Sequence, residues 1–236
     1  WSTMCRRMAT AWPRWRFVAV DLRNHGDSTG APAPHTLATA AEDLDALADQ
    51  VGRPHAVIGH SFGGKVALTY AELFPEGLEQ VWVLDSALSQ APANAANEVV
   101  RVIQGLRTIK LPLPSRSDLA PLLQGKGFSQ ALAQWMTTNL RRADDGYRWT
   151  FDLAAVEDMM ADYFVQDLWP VLEDPPCTVH LLRAERSDRL DPVDEARIAG
   201  LERVQLHTLA DAGHWVHADN PDGLLAILAP AFAIPD

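Results

Sequence analysis

The sequence predicts an α/β fold: a mostly parallel sheet with helices on both faces, interrupted by a helical insertion. Three observations predict it. Short valine-rich apolar runs alternate with leucine- and alanine-rich stretches at helical spacing over residues 16–86, the pattern of a parallel sheet covered on both sides. The alternation stops near Ala87, and helical periodicity alone continues to about Pro170. It then resumes, with two more strand-like runs and a closing helix.

The chain opens on "WSTMCRRMATAWPRW", already in a helical pattern. "RFVAVDL" (16–22) is short and apolar and reads as a buried strand. "RNHGDSTGAPAP" (23–34) breaks into a loop, and residues 36–52 form a helix stopped by Gly52. "HAVIGH" (55–60) is the next strand, followed by a helix from about Gly63 to Leu73, and "EQVWVLDS" (79–86) is another strand. The insertion carries helical runs at 97–109, 117–125, 129–142 and 152–169. "CTVHLLRA" (177–184) and "RVQLHTLA" (203–210) return to strands, and residues 220–233 close as a helix. The expected division is a core of residues 1–90 and 171–236 with a helical cap at 91–170. Ligands of open α/β sheets bind at the carboxyl ends of the strands, so the insertion is expected to cover the site.

Composition narrows the function. The chain has 236 residues, 47% of them hydrophobic, enough for one large domain or a domain with an insertion. Lys plus Arg number 20 against 31 acidic residues, a formal net charge of −11, which argues against a nucleic-acid backbone or an anionic membrane as the main partner. Cys5 and Cys177 form neither a disulfide framework nor a metal-ligand pattern. No apolar run approaches the roughly 18 residues of a membrane span, and no secretory leader is visible. These observations set the expectation of a cytoplasmic monomer or homodimer in which the cysteines hold no metal.

The chemistry is concentrated at "VIGHSFGGKVAL". Gly59-His60-Ser61-Phe62-Gly63 lies between a strand and a helix, where a sharp turn exposes a serine hydroxyl. A free hydroxyl is a weak nucleophile and needs a base, which needs an orienting acid. Ser61 is the candidate nucleophile, and the Phe62 amide at the helix start is the candidate oxyanion donor. His214 follows the last strand in "LADAGHWVHADNP" and is the candidate base; His217 is read as a surface or supporting residue. The acid is expected after an earlier strand, at Asp188 in "RAERSDRLDP" or, as the alternative, at Asp85 in "VLDSAL". Asp188 is favoured for its flexible loop, and Asp191 is read as a helix cap. His60 and Trp215, with Trp135 and Phe164 of the insertion, are candidate substrate contacts.

"DLRNHGDS", "GHSFGGKVA" and "AGHWVHADNP" together resemble the α/β-hydrolase superfamily over essentially the whole chain. Within it they are similar to the esterase branch of the bacterial YbfF type and the mammalian ABHD11 type. The resemblance implies hydrolysis of carboxylic esters or thioesters of small, largely apolar acyl groups, without a metal or organic cofactor. Other readings are a carbon–carbon bond hydrolase or lyase of the same fold, or a non-catalytic hydrolase-like binding protein. Members of the branch often lack an aspartate at the position of Asp188 and carry one matching Asp85; this chain has both. Such enzymes have two strands and an oxyanion loop ahead of the helix that Trp1 opens. The chain is therefore expected to lack about 20–30 N-terminal residues, by ordinary strand and loop lengths.

Overall fold

The computed structural model describes residues 1–92 and 98–232. Two compact units are present, one of residues 1–20, 37–89 and 166–236, the other of residues 21–36 and 90–165.

The first unit is built on a four-stranded parallel sheet in the order β1 (Ala56–His60), β2 (Gln80–Leu84), β5 (Thr178–Ala184), β6 (Val204–Leu209). Strand period assigns its side chains to two cores. Val81, Val83, Val179 and Leu181 pack with residues of α2 (Leu37–Val51), α3 (Phe62–Leu73), α8 (Trp169–Glu173) and α9 (Pro192–Ile198). Trp82, Leu84 and Leu182 cluster instead with Met4 and Met8 of α1 (Ser2–Ala11) and with Leu224, Leu228 and Phe232 of α11 (Pro221–Phe232). That is why "VWVL" is apolar without a break: both faces of β2 are buried. A short α10 (Val216–Asp219) precedes α11.

Residues 16–22 are not a strand. Val18 and Val20 are 49% and 41% exposed, and no ladder includes the segment among the described residues. A valine-rich run becomes a strand only where a neighbouring strand and a covering layer receive it. Among the described residues β1 pairs with β2 alone.

The second unit contains α4 (Glu98–Arg107), α5 (Leu119–Gln124), α6 (Gln130–Met136) and α7 (Leu153–Val165). Asn97 and Ala233, at the ends of two expected helices, lie outside the described residues. The expected helix over 129–142 stops early. A 3-10 turn at Thr137–Asn139 leads into an antiparallel hairpin of β3 (Leu140–Ala143) and β4 (Gly146–Trp149). Asp144-Asp145 form its two-residue turn, and Gly146, which opens β4 opposite Ala143, sits at φ 138°, a backbone angle that side chains resist. "DLAAVEDMMADYFVQDLW" likewise divides, into α7 and the start of α8. Residues 21–36 belong to this unit: the Gly26 amide donates to Thr150 O (2.6 Å) and Asp152 N to Asn24 O (2.9 Å).

The first unit also holds the two points where the chain leaves for residues 90–165 and returns. Lys65 of α3 is fully buried, and its ammonium donates to Ser89 O (3.1 Å) and Gln166 O (2.6 Å). Leu168 N donates to Leu88 O (3.0 Å), and the Trp169 indole to Ser89 Oγ (2.8 Å).

Candidate active site

Ser61 stands between β1 and α3 with φ 55° and ψ −120°. A side chain at such an angle is strained, and two glycines make the turn possible. A Cβ on Gly59 would lie 1.9 Å from Gly63 O, and one on Gly64 would meet Ser86 Cβ at 2.8 Å and Val83 Cγ1 at 2.9 Å. Gly63, the second glycine of the pentapeptide, has nothing within 4 Å of its Cβ position. The strand–helix approach therefore rests on Gly59 and Gly64. The Ser61 amide donates to Leu84 O at 3.0 Å, which ties the elbow to the end of β2.

Asp85 is the next residue beyond β2, also at positive φ (47°) and with no exposed surface. Its carboxylate is the meeting point of the site. Oδ1 accepts from Ala184 N (2.9 Å), and Oδ2 accepts from Ser187 Oγ (2.7 Å) and His214 Nδ1 (2.8 Å). Burial alone would raise its pKa, but the donations from His214, Ala184 and Ser187 outweigh burial and hold the carboxyl below its ordinary value. A carboxylate only accepts, so Nδ1 of His214 carries the proton and Nε2 is left with a lone pair. This is the tautomer a general base requires.

The sheet explains why Asp85 and not Asp188 meets the ring. Leu84 is in register with His60 on one side and Leu182 on the other, so Ser61 and Asp85 leave adjacent strand ends. The chain after β5 turns at once, with Ser187 N on Ala184 O (3.1 Å) and Arg186 N on Ala212 O (2.9 Å). That turn sends the Ser187 hydroxyl inward and leaves Asp188 exposed. Sequence reasoning passed over Ser187, which no motif marks. Asp191 caps α9, its Oδ1 accepting from Val193 N (2.7 Å) and Asp194 N (2.8 Å).

His60 is packed beside the base, its ring 4.7 Å from that of His214 and 5.9 Å from Trp215. Its Nε2 lies 2.6 Å from His214 O. Burial and then the neighbouring His214 push its pKa down to about 3. His217 stacks on Trp1 at 4.6 Å, and burial lowers its pKa as well. Of the two aromatic candidates in the second unit, Trp135 is 42% exposed and Phe164 is buried, edge-on to Tyr163 at 5.5 Å. Among the described residues no group of three or more His, Cys, Asp or Glu is placed to hold a metal ion. No helix there is long and apolar enough to cross a membrane.

A parallel sheet with a serine on a strained strand–helix elbow, and a histidine–aspartate pair at the neighbouring strand ends, defines a hydrolase of the α/β type. The alpha/beta hydrolase family matches residues 1–227, and the chain belongs to it. It is 28% identical over 220 residues to a mouse protein named sn-1-specific diacylglycerol lipase ABHD11, covering 89% of this chain and 69% of that one. It is 25% identical to Escherichia coli esterase YbfF, covering 88% of this chain and 79% of that one. A solved marine microorganism esterase superposes with a TM-score of 0.74 at 24% identity, over 90% of this chain and 83% of that one. The chain spans about two thirds of the length of the vertebrate ABHD11 proteins it matches.

Proposed function

We propose that the protein is a serine esterase that cleaves carboxylic esters or thioesters of small, largely apolar acyl groups through an acyl-Ser61 intermediate. The observation that carries this reading is the 2.8 Å bond between His214 Nδ1 and the buried Asp85. It fixes the basic tautomer of a histidine in a chain whose elbow presents Ser61.

Ser61 Oγ attacks the ester carbonyl while His214 Nε2 takes its proton. The imidazolium that forms is stabilised by the Asp85 carboxylate. The Phe62 amide, at the N-terminus of the twelve-residue α3, donates to the developing oxyanion. His214 returns its proton to the leaving alkoxide or thiolate. Water, deprotonated by the same nitrogen, then releases the acid and restores Ser61.

A fluorophosphonate probe tests the reading: it labels the wild type, and Ser61→Ala abolishes labelling and turnover together. Labelling that persists in the variant refutes it. A panel of activated short-chain esters, acyl thioesters and a diacylglycerol, the last chosen from the mouse relative's name, then ranks the substrates.

A further inference from the structure

Asp85 holds the ring of His214, but a side chain is only as well placed as the main chain that carries it. The loop 210–215 bears His214 between β6 and α10, and what holds its backbone at the catalytic residue itself is the side chain of His60. We propose that His60 is a positioning residue for the reaction: it anchors the base loop to the strand that carries the nucleophile.

Three observations carry this. A carbonyl accepts and cannot donate, so the 2.6 Å contact fixes the proton of His60 on Nε2. His60 and Ser61 are consecutive, so the anchor and the nucleophile share one peptide. His60 is in register with Leu84, the residue before Asp85. The two groups that grip His214, one at its carbonyl and one at its ring, therefore grow from the neighbouring ends of two paired strands, one residue apart in register. The depressed pKa of His60, about 3, suits the role. A ring that stays neutral keeps its single N–H on the carbonyl and places no second cation 4.7 Å from the imidazolium that forms at His214.

The inference deepens the esterase reading and rests on it for its kinetic consequence. Misplacement of a catalytic group by about 1 Å can lower the rate about 10²-fold. His60→Met keeps the length of the side chain and lacks the donor; His60→Gln restores an N–H at nearly the same reach. The expected result is a fall in kcat of about 10- to 100-fold for His60→Met with KM little changed. His60→Gln recovers most of it. Backbone amides of residues 213–216 exchange faster in the methionine variant and at the wild-type rate in the glutamine variant.

Equal impairment of the two variants, wild-type kcat in His60→Met, or failure of both to fold would overturn the proposal, because the ring would then serve packing alone. If His60→Met fails to fold while His60→Gln is folded and active, the donor is again what counts, and the proposal stands. The exchange readout does not need turnover. Should the wild type resist the fluorophosphonate probe, the esterase reading fails by itself. Unchanged exchange at 213–216 in His60→Met would separately refute the anchor, and accelerated exchange would uphold it.

Discussion

Replacing Asp85 by asparagine preserves volume and tests the acid directly. Three donors converge on this carboxylate: Ala184 N at 2.9 Å, Ser187 Oγ at 2.7 Å and His214 Nδ1 at 2.8 Å. An amide offers one oxygen and one NH2. If its oxygen faces His214, the NH2 faces the Ala184 amide, donor against donor, in a fully buried place. If the NH2 faces His214, Nδ1 must accept, the proton moves to Nε2, and the base is lost. The first arrangement costs about 1–3 kcal/mol of stability for the unsatisfied pair. The second lowers kcat about 10⁴-fold, by analogy with the serine-protease aspartate. Relief of the buried donor pair favours the second arrangement, so Asp85→Asn is expected to lose turnover of an activated short-chain ester about 10⁴-fold with little change in thermal unfolding. Asp188→Asn, at an exposed position, should stay within about twofold of wild type on both readouts, as surface substitutions usually do. A crippled Asp188→Asn beside an active Asp85→Asn would refute the reasoning. The acid limb of stability gives a further check. The folded carboxyl of Asp85 titrates below its unfolded value, so its stabilisation is complete above about pH 4 and disappears as pH falls through the folded pKa. Asp85→Asn should lack that part of the acid dependence.

Gly59→Ala forces a Cβ to 1.9 Å from the backbone oxygen of Gly63, so the soluble yield or urea midpoint should fall sharply, while Gly63→Ala, with open space and a helical position, should hold or gain up to about 1 kcal/mol. His180 and His207 lie 3.1 Å apart, and Trp82 stacks on His180 at 4.0 Å. Burial lowers both pKa values, that of His180 to about 4, so the unfolded chain binds more protons below about pH 6.5 and stability falls from there toward pH 4. His180→Phe, which can keep the stack on Trp82, should flatten that decline in urea titrations. Lys65→Met leaves two main-chain carbonyls without their charged donor and should lower stability by about 1–3 kcal/mol in chemical denaturation.

The sheet was legible because its central strands β2 and β5 are buried on both faces and read as largely apolar runs. The elbow was legible because it packs strand, serine, helix and glycines into twelve consecutive residues. "RFVAVDL" misled because strand propensity describes a surface that neighbouring strands must supply, and among the described residues no strand pairs with residues 16–22. The hairpin of the second unit hid behind a helix-like run, although Asp145-Gly146 followed by "YRW" carries a turn signal and strand-type alternation. The acid depended on a fact that composition cannot carry: the turn after β5 aims Ser187 inward and leaves Asp188 outside, so the carboxylate comes from the end of β2. Ser187 was invisible because one hydroxyl in a loop has no periodicity.

The Lys65 ammonium has a consequence for descent. It binds the carbonyls of Ser89 and Gln166, so the intervening chain departs from and returns to a single clasped point one turn along the helix that Ser61 opens. A detour whose ends already meet is inexpensive to resize, since each doubling of a flexible loop costs only about 0.6 kcal/mol of closure entropy. Residues 90–165 can therefore change in length while the clasp keeps the two ends of that stretch together on α3.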